Sequence, residues 1–214
     1  RVTFAVGGPL TYVAVLDLRL EGVGLLRRAG LAIAYTQGYS PHPRLQFAAA
    51  LPVGYSSECE LMDVLLLRRV AAAQFLARAR AQCPSGLRII GAEEVPSSAP
   101  ALQAVMREAE YRVTMWSSEG PSAVQAAIAR FLDRGEVPRQ RRRKGRTVSY
   151  DLRPLVLALR YSRHSGDRHE LTMTVRCASG GTGRPDQVLD ELALPIERFA
   201  ICRTRLIWDK GEIP

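Results

Sequence analysis

VTFAVGGPLTYVAVLDLRLEGVGLLRRAGLAIAY, residues 2–35, sets the fold class of this chain. Val2 to Val6 is a short apolar run with β-branched residues and reads as a strand. Beyond Gly7-Gly8-Pro9, Val13, Leu16, Leu20 and Val23 recur at helical spacing. Gly30, just after Arg27-Arg28-Ala29, suits the left-handed cap that closes a helix. Leu31 to Tyr35 then returns to strand. A strand, a helix and a strand within 35 residues open an α+β domain.

Working outward, Arg44 to Leu51 continues the second strand after a turn-rich loop, Cys59 to Leu67 supplies a third, Val70 to Cys83 a second helix and Leu87 to Ile90 a fourth strand. The order β-α-β-β-α-β describes a ferredoxin-like split βαβ domain. Pro96-Ser97-Ser98-Ala99-Pro100 has linker chemistry, and beyond it the order recurs. Tyr111 to Trp116, Thr147 to Leu152, Leu155 to Tyr161, His169 to Cys177 and Ile201 to Trp208 read as strands. Pro121 to Leu132 and Pro185 to Leu192 read as helices. The expectation is two tandem ferredoxin-like domains, 1–96 and 109–214, joined by a linker over 97–108, with a basic loop at 139–146.

Composition bounds the class. The 214 residues are 47% hydrophobic and 24% charged, which predicts a buried core. No apolar run reaches the length of a membrane span. Arg1 leads directly into Val2 with neither an initiator Met nor a signal segment, so the sequence reads as a trimmed piece of a cytoplasmic protein. Thirty basic residues against 21 acidic give a net charge of +9, and Lys144 and Lys210 are the only lysines. Arginine matches phosphate bidentately and stacks on flat rings, which suits a nucleic-acid partner; G+C-rich coding explains the arginine bias equally, but not the net charge. Cys59, Cys83, Cys177 and Cys202 are too scattered for a zinc site or an iron–sulfur cluster and read as reduced thiols in the core.

The densest feature is Arg139-Gln140-Arg141-Arg142-Arg143-Lys144-Gly145-Arg146, with six cations in eight residues and no acid within the run. A loop of this kind neutralises phosphates and releases their counterions. The second feature is Tyr35-Thr36-Gln37-Gly38-Tyr39-Ser40-Pro41-His42-Pro43-Arg44. Its prolines restrict the backbone, while Tyr39, His42 and Arg44 offer the stacking and hydrogen bonding by which single-stranded RNA is held. Asp151 and Arg153 alternate with Tyr150 and Leu152, which places them on one face of a strand, as a polar patch or an ordinary ion pair. Gly180 to Asp186 lacks the Walker lysine and reads as a helix entry. No Ser-His-Asp set, paired carboxylates or H-E-x-x-H is present, so no catalytic or metal-binding residues are assigned.

Leu26-Arg27-Arg28-Ala29-Gly30-Leu31, Tyr35 to Ala48 with Leu51-Pro52-Val53-Gly54, Asp151-Leu152-Arg153-Pro154, Gly183-Arg184-Pro185-Asp186 and Arg203-Thr204-Arg205-Leu206 together resemble the bacterial radical-SAM-linked protein family, a domain of unknown function. The resemblance covers most of the chain, and the proline-rich loop is its most specific part. It implies a radical SAM protein as partner, with SAM, the iron–sulfur cluster and cobalamin on that partner and no cofactor on this chain. It also implies a setting of RNA or ribosome modification. This chain departs from the family's usual Ser-His pair before Leu-Asp, having Ala14-Val15 before Leu16-Asp17.

The leading expectation is a non-catalytic accessory module that binds RNA (tRNA or rRNA), or an RNA-bound partner, for a radical SAM enzyme. Two others stand beside it: a metal-independent ribonuclease or RNA-modifying enzyme using His42 or Tyr39, and a purely protein-binding subunit.

Overall fold

A computed structural model describes residues 1–143, 145–178 and 180–209. It is an α+β structure of mainly antiparallel sheet with few helices, in two compact units: Arg1–Met106 with Trp208 and Asp209, and Arg107–Ile207. No described helix is long and apolar enough to cross a membrane.

The first unit runs β1 (Val2–Val6), α1 (Val15–Arg28), β2 (Leu45–Phe47), β3 (Tyr55–Val64), α2 (Ala72–Arg80), β4 (Leu87–Ala92) and α3 (Leu102–Val105). Its strands lie in the order β2-β3-β1-β4, and each neighbouring pair is antiparallel. Leu31 to Tyr35 contributes only isolated bridges, Ile33 to Leu66 and Tyr35 to Pro43, so the expected long second strand shrinks to three residues. Gly30 caps α1 as expected: its N–H donates to Arg27 O at 3.0 Å and that of Leu31 to Leu26 O at 2.9 Å, the Schellman pattern, with φ +67°.

The buried face of α1 differs from the one its spacing suggested. Leu18, Gly22, Val23, Leu25 and Leu26 are buried, whereas Leu16 and Leu20 stay 70% and 67% exposed. This helix carries two apolar stripes, and Leu45 of β2 packs over the one with Gly22, where a Cβ would lie in ordinary contact, 3.7 Å from Leu45 Cδ1. Residues 97–106, read as linker, belong to the first unit, where Leu102 and Val105 of α3 are buried.

The second unit runs β5 (Met106–Ser117), α4 (Pro121–Leu132), β6 (Pro138–Arg143), β7 (Arg146–Asp151), β8 (Val156–Ser165), β9 (Arg168–Ala178), β10 (Gly181–Thr182), α5 (Pro185–Glu191) and β11 (Ile196–Trp208). β9 pairs antiparallel with β5 on one side and with β8 and β10 on the other, and β11 lies beyond β5. Tyr111, Val113 and Met115 of β5 sit opposite Met173, Leu171 and His169 of β9, all buried. Val124, Ile128 and Phe131 of α4 complete this core, and truncating Phe131 to Ala would cost about 3–5 kcal/mol. Arg203 is fully buried too; its Nε donates to Tyr111 Oη at 3.0 Å and its guanidinium lies over the Tyr111 ring.

The basic stretch is not a loop. β6 and β7 pair antiparallel from Pro138–Asp151 to Arg143–Arg146 and form a hairpin; Lys144 lies outside the described residues. Of the four thiols only Cys177 is buried, and none of them forms a disulfide.

Gly86 gives a direct check of the first unit. Its φ is +90°, and a Cβ there would lie 2.3 Å from the backbone oxygen of Gly7, which cannot move aside. Gly86→Ala is therefore expected to lose about 2 kcal/mol or more in denaturant unfolding, against about 1 kcal/mol for Gly30→Ala, where nothing lies within 4 Å.

Candidate nucleic-acid interface

Alternation along the hairpin puts Arg139 and Arg141 on the face shared with Tyr150, Val148 and Arg146. At the base this face is tied to α5. Arg139 donates to Glu191 and to Asp190, both at 2.8 Å, and Tyr150 Oη donates to Gln187 Oε1 at 2.5 Å. Arg134 reaches the same Glu191 at 2.7 Å. The expectation that the basic run has no compensating acids therefore fails for Arg139: two carboxylates distant in sequence hold it.

Towards the tip the situation reverses. Arg141, Arg142 and Arg146 are exposed, and among the described residues no carboxylate pairs with any of them. Arg141 lies over the Tyr150 ring, 5.2 Å from its centroid. Arg143 closes β6 opposite Arg146. The hairpin is thus a basic arm, anchored by one arginine and presenting others to solvent.

Asp151 and Arg153 are not a surface patch. Asp151 Oδ1 accepts the N–H groups of Val137 at 2.7 Å and Arg153 at 3.0 Å. The Arg153 guanidinium donates to Leu132 O, at 3.2 and 3.1 Å, and to Val156 O at 3.0 Å. Both side chains satisfy backbone groups where the hairpin leaves the unit. Their apparent strand alternation ends at Arg153, which starts a 3-10 turn.

In the first unit the proline-rich loop is braced at its base. Thr36 N–H donates to His42 O, and His42 N–H to Thr36 Oγ1, both at 2.9 Å. Arg19 donates to Pro43 O at 2.9 Å, and Arg27 bonds the Tyr35 hydroxyl while lying against its ring. Tyr39 is fully exposed, as are His42 and Arg44. No described side chain bonds the His42 imidazole, so nothing orients it as a general base. The loop resembles a contact surface more than a catalytic site. A cleft of about 320 Å³ in the first unit is lined by Arg1, Arg68 and Arg69; Arg1 pairs with Asp63 and Glu93, and Arg69 with Glu94.

A further basic surface of the second unit escaped the sequence reading. On β9 His169, Leu171, Met173 and Val175 are turned to the core, and Arg168, Glu170, Thr172, Thr174 and Arg176 alternate with them on the other face, Glu170 being buried there as well. Opposite these stand Trp116 and Arg112 of β5 and Arg163 and Arg160 of β8. These residues are far apart in the chain, and their only local signal is the polar alternation within β9.

The fold and the basic hairpin give an α+β protein with a candidate nucleic-acid interface, and no group of three or more His, Cys, Asp or Glu placed to hold a metal lies among the described residues. The chain belongs to a family described as uncharacterized protein conserved in bacteria (DUF2344), which matches residues 1–185. No curated protein matches it. Among solved structures it is similar to a chain of a Cbf5-Nop10-Gar1 complex, with 12% identity and a TM-score of 0.49, covering 95% of this chain and 48% of that one. It is also similar to a chain of an H/ACA ribonucleoprotein bound to a substrate RNA containing 2'-deoxyuridine, with 14% identity and a TM-score of 0.46, covering 95% and 47%. The chain spans about half the length of either neighbour.

The anchor of the hairpin makes a pH prediction. Burial pushes the Glu191 carboxyl up, but hydrogen bonds from Arg134 and Arg139 outweigh it and hold it below its ordinary value of 4.5. A depressed acid stabilises above its unfolded value and loses that contribution as pH falls through the lowered one. Amide-exchange protection of 138–151 is expected to be full at neutral pH and to fall below pH 4.5. Glu191→Gln should show weakened protection already at neutral pH and little further fall.

Proposed function

We propose that this chain is a non-catalytic accessory module that binds RNA (tRNA or rRNA) in the cytoplasm and presents it to a radical SAM enzyme. The observation that carries the reading is the division of the basic hairpin. Arg139 is committed to Asp190 and Glu191, whereas Arg141, Arg142 and Arg146 are exposed with no described acid beside them. An unpaired, exposed guanidinium loses little hydration on meeting a phosphate and gains a bidentate match. The exposed Tyr39, His42 and Arg44 add a second surface of the kind that single-stranded RNA uses. The radical SAM partner rests on the sequence resemblance, which assigns SAM, cluster and cobalamin to that partner.

We also assign each unit to the ferredoxin-like class. The orders β2-β3-β1-β4 and β8-β9-β5-β11, with a helix between first and second and between third and fourth strands, support this assignment.

One observation favours a protein contact besides. Leu16 and Leu20 stand one turn apart on α1 and are 70% and 67% exposed, and Tyr12, which ends the 3-10 turn before the helix, is 77% exposed. An apolar stripe of this kind suits a partner protein. Leu16→Glu with Leu20→Glu is expected to release the radical SAM protein in co-purification from nuclease-treated, high-salt lysate; full retention would remove this stripe from the contact.

The RNA reading is tested by affinity across a salt series. Each phosphate contact to a single strand contributes about 0.7 to the log–log slope, so Arg141/Arg142/Arg146→Ala should flatten it by about 2. An unchanged slope would contradict the hairpin's role.

A further inference from the structure

The open face of the second unit's sheet carries a second constellation suited to nucleic acid. Strand alternation and the observed register bring Arg112 and Trp116 of β5, Arg168 of β9 and Arg160 and Arg163 of β8 to one face. From β11, Arg198 lays its guanidinium over the Trp116 ring at 4.2 Å. Arg112, Arg160, Arg163, Arg168 and Arg198 are exposed and Trp116 is half-buried.

Glu170 organises this surface. It is almost buried, and its carboxylate accepts Arg163 at 2.6 and 3.1 Å and Arg168 at 2.6 Å. One acid thus holds two guanidiniums without neutralising both. Arg112 stands close enough to act electrostatically on Glu170 and Arg163. Hydroxyls lie within the array: Ser162 and Thr172 bond one another at 3.0 Å.

We propose that this face binds single-stranded RNA, with one base stacking on the Trp116–Arg198 pair and the adjoining phosphates on Arg160, Arg163 and Arg168. The chemistry favours RNA over an acidic peptide. A guanidinium already stacked on indole presents a flat surface matched to a base, and carboxylate side chains gain nothing from it. Base stacking on an aromatic or guanidinium plane is tolerant of sequence, whereas duplex bases are not free to stack. The inference rests on the RNA reading above for its ligand class, but on a separate surface.

The test uses the full chain with Trp208→Phe, which leaves Trp116 as the sole tryptophan. Its fluorescence is followed during titration with a single-stranded oligouridylate and with an RNA duplex of equal length. The expected result is quenching by the single strand but not by the duplex, with affinity for the single strand falling at least about fivefold in Arg198→Ala and in Arg160→Ala. Both substitutions are at exposed positions, so loss of binding is read in folded protein. Binding that depends on Arg141, Arg142 and Arg146 but leaves Trp116 fluorescence unchanged overturns this inference while the hairpin reading stands. Quenching unaffected by the hairpin changes supports this face and removes the hairpin instead. Displacement of the oligonucleotide by nothing but an acidic peptide, with no RNA quenching, overturns the proposal in favour of a protein ligand.

Discussion

The two-residue alternation of β9 is the constraint on which the second unit depends. Leu171, Met173 and Val175 are fully buried, opposite Val113, Tyr111 and Ala109 of β5. A strand cannot bury these side chains without turning their neighbours to the other face. The same act that builds the core therefore places Arg168, Glu170, Thr172, Thr174 and Arg176 on the opposite side. A slip of one residue would bury two arginines and expose the core, so hydrophobic burial fixes the geometry of the charged face.

A second principle sorts the arginines of this unit, which carries 19 basic and 12 acidic residues over 107–207. Position relative to a carboxylate decides what each does. Arg139 meets two acids and becomes an anchor; Arg153 meets two carbonyl oxygens and becomes a strut. Arg203 is buried against Tyr111 and belongs to the interior. Arg141, Arg142 and Arg146 have no such partner among the described residues and remain for a phosphate. Arg163 and Arg168 occupy a middle position, oriented by a shared Glu170 but exposed. Net charge alone does not separate these roles.

Much of the element order was legible because strong periodicity lies in short windows. Pro121 to Leu132 is recovered with its bounds, and Gly30 closes α1 through the hydrogen bonds that its position predicts. Three features were not legible, each for a physical reason. The face of α1 was misread because Leu16 and Leu20 are as apolar as Leu18 and Leu25, so the helix's own sequence does not say which stripe the sheet covers. Thr147 to Leu152 was read as a strand, but 139–146 was read as a loop because its arginines mask strand alternation. The acids that hold Arg139 are 51 and 52 residues away and come together with it only through the fold. The open sheet face was invisible for the same reason, since its residues come from four strands and meet only through the fold.

Photocrosslinking the full chain to single-stranded RNA that carries 4-thiouridine, followed by mapping of the crosslinked peptides, tests the central claim most directly. The account predicts adducts concentrated in 138–151 and on the strands that carry Trp116, Arg160 and Arg198, suppressed by added salt and by unlabelled RNA. Adducts spread evenly over the chain, or confined to peptides outside those strands and the hairpin, would contradict it.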